Sequence, residues 1–304
     1  MPAQALDDIG AGLMRGRIIP YLGAACVALG ETSSVPTSPV ELVARLTAKT
    51  TVPHKVRSNL TGAAQYIENF KHRKTLRTMM AEAFATSPEA NALHRMLATL
   101  PSLPLLVHAW YDDLPQRAFA GRTDWGVAQG LSQAENHGRW AGFYRADGSE
   151  LTEPEPSIVA DDPVALDMPL YVPVPDEARA WATLLYQPLG SVRPAANFLV
   201  SDSDFVEVLT EIDIQTPIPQ TVQEIRRDRH FLFLGCRFDT QLDRVFARQI
   251  MKRSSAQHWA VLPDTPTRNE ERFLDEQNIR RIDWPLVKFV AALAEQLQNQ
   301  KLPA

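Results

Sequence analysis

The residues with chemical potential stand at the ends of apolar runs. Gly23-Ala24-Ala25-Cys26 follows directly on Ile18-Ile19-Pro20-Tyr21-Leu22. Small residues after a strand let the backbone approach either a ligand phosphate or a packed neighbour. A dinucleotide fingerprint carries three glycines and this turn has one, so both readings stay open. A second run, Leu103 to Trp110, ends on Tyr111-Asp112-Asp113-Leu114. Carboxylates at a strand end serve acid–base chemistry or cap the next helix, and this pair suits either role. His108 shares a strand face with Trp110; a core hydrogen bond is its expected role, a pocket group the alternative. A third run closes on Tyr186-Gln187-Pro188-Leu189-Gly190-Ser191, and Asp202 and Asp204 are placed to cap the helix after Phe198-Leu199-Val200. No Ser, His and Asp set has the signature of a hydrolase elbow, and no His or Cys pair has metal-ligand spacing. Cys26 and Cys236 each adjoin an apolar run and read as small buried side chains rather than as a disulfide.

Strands must carry these groups, and helices must hold the strands. Helical spacing predicts a helix over 5–15, followed by a strand over 18–22. A loop over 33–39 leads to a helix over 40–48 with Pro39 at its first turn, then helices over 55–71, 75–85 and 89–100. Residues 33–100 therefore form an inserted helical module. The continuous apolar run 103–110 marks a strand buried on both faces. Residues 119–165, with scattered Gly, Trp, Asp and Glu, are expected to form an irregular, hairpin-bearing insertion outside the main sheet, with Glu153-Pro154-Glu155-Pro156 on the surface. Strands over 181–186, 231–235, 259–262 and 279–282 alternate with helices over 221–229, 241–251, 268–276 and 286–300. This alternation predicts a single α/β domain over 1–304, a Rossmann-like parallel sheet with helices on both faces.

Composition narrows the function. The chain has 304 residues, 45% hydrophobic and 22% charged, enough to bury a substantial core. Its 31 basic and 36 acidic residues give a net charge of −5, which supplies no global field for nucleic acid or an anionic membrane. No apolar run reaches membrane-spanning length and the first residues lack a secretory pattern, so the cytoplasm is the expected compartment. The clusters Lys71-His72-Arg73-Lys74 and Arg226-Arg227-Asp228-Arg229-His230 are expected as solvated helix ends, with an acidic partner surface as the alternative. Trp125 and Trp140, inside the 119–165 segment, suit either a protein interface or a local mini-core.

Four islands, in order, resemble the SIR2-like branch of the sirtuin family: Ile19-Pro20-Tyr21-Leu22-Gly23-Ala24-Ala25, Ala63-Ala64-Gln65-Tyr66, Tyr111-Asp112-Asp113-Leu114 and Phe231-Leu232-Phe233-Leu234-Gly235. The resemblance implies NAD or ADP-ribose as ligand, held by Gly23, Ala24, Ala25, Gln65, Trp110, Asp112, Gly190, Ser191 and Gly235. Three departures matter more than the matches. Trp110 stands where family enzymes place an asparagine on the nicotinamide-ribose side, and an indole has a single donor. Leu189 replaces the histidine before Gly-Ser and cannot move a proton. Ala24 replaces the middle glycine of the turn. The expectation is a SIR2-like protein with no catalytic residue of the family kind, binding a protein partner. Alternatives are an NAD-consuming enzyme with rearranged catalytic residues, or a nucleotide sensor. The whole sequence is also similar to the nitrogenase-associated factors, which implies the nitrogenase molybdenum-iron protein as that partner.

Overall fold

The computed structural model describes residues 2–30, 34–86, 88–152, 174–211 and 217–301. Helix α1 (Pro2–Met14) leads into strand β1 (Ile18–Leu22), a 3-10 turn (Ala24–Leu29) and α2 (Pro39–Ala48). A second 3-10 turn (His54–Val56) precedes α3 (Leu60–Lys71), α4 (Arg73–Ala83) and α5 (Ala92–Ala98). Then come β2 (Leu105–His108), α6 (Leu114–Ala118), β3 (Trp125–Gly130), β4 (Ala141–Arg145), α7 (Asp176–Arg179), β5 (Thr183–Gln187), β6 (Gly190–Ser191), β7 (Asn197–Phe198) and α8 (Asp202–Glu211). The remaining elements are α9 (Gln220–Ile225), β8 (His230–Leu234), α10 (Gln241–Met251), β9 (His258–Val261), α11 (Arg268–Glu276), β10 (Ile279–Ile282) and α12 (Leu286–Lys301).

The main sheet runs β10-β9-β8-β1-β2-β5-β3-β4, parallel throughout except for β4. Strand β1 lies near its middle, which explains why all five of its residues are apolar and buried. Alternation divides them: Ile19 and Tyr21 enter one core with Val107 and Phe233, while Ile18 and Leu22 enter another with Leu106 and Leu232. Helices α10 and α11 cover the first face through Phe246, Ile250 and Phe273. Helices α1 and α12 cover the second through Ile9, Leu13, Phe289 and Leu293. A third core fills the helical module, where Leu42, Ile67, Leu76, Met80 and Phe84 meet Trp110, Tyr111 and Phe198 from the sheet side. Helix starts follow capping chemistry. Ser38, Asn59 and Asn91 accept backbone N–H bonds at α2, α3 and α5, and Thr267 and Glu270 form a reciprocal capping box at α11. None of the described helices is long and apolar enough to cross a membrane.

Four expectations need correction. The 119–152 part of the expected insertion is not outside the main sheet but its edge: β3 pairs parallel with β5, and β4 pairs antiparallel with β3. Its strand character is masked by glycines that packing demands, since a Cβ on Gly126 would lie 2.3 Å from the Trp181 ring. Trp125 and Trp140, read as either interface or local mini-core, are therefore core residues, 3% and 5% exposed, and they join the two main cores of the sheet rather than a local one. The single helix over 55–71 is a 3-10 turn and a separate α3, because Asn59 caps the later start. Finally, the basic clusters are not wholly solvated. Arg226 is buried and donates to the Gln249 and Ile250 carbonyls at the end of α10. Arg73 is treated below. Residues 153–165, including the Glu-Pro repeat, lie outside the described residues.

Both sheet edges are blunted. Beyond β4 the chain turns at Gly148 (φ 84°), and residues 149–151 return along it, with Leu151 N–H on the Phe143 carbonyl at 2.8 Å. At the other edge β10 carries Arg280 and Arg281.

Arg73 ties the helical module to the sheet. Its guanidinium reaches Asp204 at 2.8 Å, Glu68 at 3.2 Å and Glu135 at 3.3 Å, and donates to the Phe198 carbonyl. Asp204, almost fully buried, also accepts the Val200 and Ser201 N–H groups and the Ser132 hydroxyl. Burial alone would lower the Arg73 pKa; the Asp204 carboxylate outweighs it and raises it. Just before it, His72 holds φ 70° and ψ 152°, a region normally reserved for glycine. Arg73→Ala is expected to cost about 3–5 kcal/mol, because Asp204 would stay buried without its cation. His72→Gly is expected to gain roughly 1 kcal/mol by releasing strain. Urea unfolding midpoints of the two variants check both, and a neutral Arg73→Ala would discard the anchoring role.

Candidate functional site

In open parallel sheets, ligands lie outside the carboxyl ends of the strands, where the strand order reverses. Here that place is the junction of β1 and β8. The chain leaves β1 for β2 on one side, and β8 opens the run to β9 and β10 on the other. The two turns at this junction are bonded to each other. Gly23 N–H donates to the Leu234 carbonyl at 2.9 Å, and Ala25 N–H donates to the Gly235 carbonyl at 3.1 Å. Cys26 N–H closes the 3-10 turn on the Gly23 carbonyl. A Cβ on Gly23 would lie 2.5 Å from the Gly235 oxygen, and one on Gly235, whose φ is +64°, would lie 2.6 Å from Cys26 N. Both glycines serve close backbone packing, one of the two roles read from the sequence. A pyrophosphate cradle needs such N–H groups free, and those of Gly23 and Ala25 are not available to one here.

On the β2 side the junction is also closed. Ala109 N–H donates to the Leu22 carbonyl at 2.8 Å. Trp110, just past the end of β2, is 3% exposed, donates its indole N–H to the Pro36 carbonyl at 2.8 Å and packs edge-on against Phe84. Ser191 is fully buried, and its hydroxyl donates to the Tyr111 and Asp112 carbonyls. Gly190 takes φ +76° where a Cβ would lie 2.2 Å from the Asn197 oxygen, so it allows the β6–β7 pairing that seats this loop. Leu189 is partly buried and packs against two of the cores. Gln65 belongs to another contact: its carbonyl accepts the Ser203 N–H and hydroxyl at the start of α8.

Asp112 is buried and spends both carboxylate oxygens within the protein. One oxygen accepts Leu114 N–H at 2.9 Å as α6 begins; the other meets His108 Nε2 at 3.1 Å, both side chains buried. Burial would raise its pKa, but the charge and hydrogen bond of His108 prevail and hold it below the usual carboxylate value. Asp113 pairs with Arg193 at 3.0 Å.

Sequence reasoning missed a buried polar row. Gln129 of β3 pairs in register with Gln187 of β5, and His108 of β2 follows the Val107↔Tyr186 pair on the other side. All three are fully buried. His108 Nδ1, both Gln187 amide atoms and Nε2 of nearby His94 have no partner among the described residues. The signal was present: each of the three polar residues stands at or near the carboxyl end of an apolar strand. Cys26 and Cys236 are free thiols that both donate to the Leu234 carbonyl, at 3.2 and 3.4 Å, and burial pushes both well above an ordinary thiol pKa. Among the described residues, no group of three or more His, Cys, Asp or Glu could hold a metal ion.

Comparison with known proteins adds the following. The family model described as "SIR2-like domain" matches residues 104–282, more than half of the chain. Among 70 matching chains of solved structures is one from work described as "Structural Basis for the Mechanism and Regulation of Sir2 Enzymes". It is 12% identical, with 98% of this chain and 99% of that one covered and a TM-score of 0.42. Nothing about the site follows from so distant a likeness. No curated protein matches the chain.

Two outcomes follow from this geometry. Gly235→Ala is expected to destabilise the protein by about 3 kcal/mol, since the new methyl meets backbone in a left-handed turn. Burial lowers His94 to about 3 and His258 to about 4, so both stay neutral when folded while the unfolded chain binds protons below about 6.5. The two histidines then lower stability as pH drops from about 6.5 to about 4, by up to roughly 1.4 kcal/mol per pH unit each, partly offset below about 6 by Asp243, whose carboxyl is raised by burial to about 6. Asp112 adds its own loss only below its ordinary value of 3.8. Thermal melting across this range tests the linkage, and a flat Tm would refute it.

Proposed function

The chain belongs to the SIR2-like family, and from that premise we propose that it uses the family's sheet as a cytoplasmic scaffold for binding another protein, without NAD cleavage. One observation carries the reading. The N–H groups of Gly23 and Ala25, which a dinucleotide would need, are spent on the Leu234 and Gly235 carbonyls. Trp110 and Leu189 support it, because each fills core space where the resemblance calls for a polar group. The partner we propose is the nitrogenase molybdenum-iron protein. Support for that choice is the whole-sequence similarity to the nitrogenase-associated factors.

Two measurements test the two levels. Titration calorimetry with NAD and with ADP-ribose at millimolar concentration is expected to give no saturable heat, and NAD incubated with the protein to release nicotinamide at background rate. Turnover well above background that Asp112→Ala abolishes would establish the NAD-consuming alternative instead. For the partner, the tagged protein recovered from cells fixing nitrogen should bring down the molybdenum-iron protein subunits. Their absence from that pull-down would remove the assignment.

A further inference from the structure

Charge is not spread evenly along the chain. Between residues 49 and 77 there are seven Lys and Arg against a single acid, Glu68, although the whole chain carries −5. This segment contains the elbow between α3 and α4, the point at which His72 adopts its glycine-like conformation. Next to it Phe70 is 65% exposed and stacks at 4.4 Å on Tyr66, one helical turn earlier. Among the described residues the large apolar side chains left exposed are Val40, Phe70, Val206 and Val287, and Phe70 is the aromatic one. Lys71 and Lys74 flank it, both exposed and neither in an ion pair among the described residues. From Lys74 the same face of α4 continues through Arg77, which is paired with Glu135 at 3.0 Å, and through Thr78 and Ala81 to a cleft of about 780 Å³ whose lining is acidic at Glu82, Glu135 and Glu150.

The elbow is also stiff. Arg73, between the two lysines, is locked to Asp204, Glu68 and Glu135. Its neighbours are thus presented on a fixed platform, which lowers the ordering cost of an interface. An apolar aromatic anchor with cations around it is the composition of a docking hot spot for an acidic surface.

We propose that the α3–α4 elbow is the surface on which this protein binds an acidic segment of a protein partner, with Phe70 as the apolar anchor and Lys71 and Lys74 as the cationic rim. The proposal rests on the protein-binding reading above and adds where the partner sits and what chemistry it presents. Nucleic acid fits less well. A strand long enough to use the basic segment would continue past it onto a body of opposite charge, since the remainder of the chain is more acidic than the whole.

The test places the photoreactive residue p-benzoylphenylalanine, one position at a time, at Phe70, at Val206 of α8 and at Val287 of α12, all exposed. The full chain is irradiated in the cells that produce it, and adducts are mapped by mass spectrometry. The expected result is an adduct at position 70 whose cross-linked peptide is rich in Asp and Glu, with its yield cut at least tenfold by K71E together with K74E. Circular dichroism confirms that this charge-reversed variant is folded. An adduct at position 206 or 287 but not at 70 overturns the elbow while leaving the protein-binding reading intact. No protein adduct at any position overturns both. A nucleic acid adduct at 70, or a yield unmoved by charge reversal, also overturns the proposal.

Discussion

The backbone of β1 and that of β8 come so close at their carboxyl ends that neither turn has room for a Cβ, and the arrangement of the whole sheet follows from this approach. Gly23 and Gly235 accept it, and the N–H groups of Gly23 and Ala25 are consumed in sealing it. Because the chain leaves β1 for β2 on one side and β8 opens the run to β9 and β10 on the other, fixing β1 to β8 joins the two halves of the sheet. The same contact spends the groups that a phosphate would require. Close packing holds both of these N–H donors.

A second contact of the same importance joins the parts that the sheet does not reach. The helical module has a core of its own, and it is bound to the body by the aromatic set Trp110, Tyr111 and Phe198, by the ion network of Arg73 with Asp204 and by bonds such as that of Gln65 with Ser203. Asp204 serves several partners at once. It accepts the backbone N–H groups that begin α8, the Ser132 hydroxyl from beyond β3, and the guanidinium. Trp110 is the apolar counterpart, with its one donor satisfied by Pro36 so that a large ring can be buried at no polar cost.

Much of the architecture was legible because buried parallel strands read as unbroken apolar runs and amphipathic helices as spaced ones. Helices α10 and α11 and strands β1 and β10 fall on the residues that periodicity assigns. The edge hairpin was not legible. Gly126, Gly130 and Gly142 interrupt its pattern; the Trp181 ring and the Pro188 carbonyl that crowd the first two lie elsewhere in the chain, and the Tyr144 ring crowds the third from within β4. Arg73 was hidden for a related reason. A run of four basic residues looks uniform, and only the fold decides which one is turned inward to meet an aspartate 131 positions away. At the site, Asp112 and His108 were visible as polar residues at a strand end, whereas their mutual bond and the alignment with Gln187 depend on strand register, which no local pattern records.

The treatment of the sheet edges bears on how this molecule can meet others. On one side the 149–151 return occupies the backbone of β4, and on the other the arginines of β10 charge the approach. An eight-stranded sheet finished in this way discourages an incoming strand at either edge, which works against fibril-like growth and strand exchange. Any association must instead be written in side chains on helices and loops. Such surfaces can change residue by residue while the sheet beneath them stays the same.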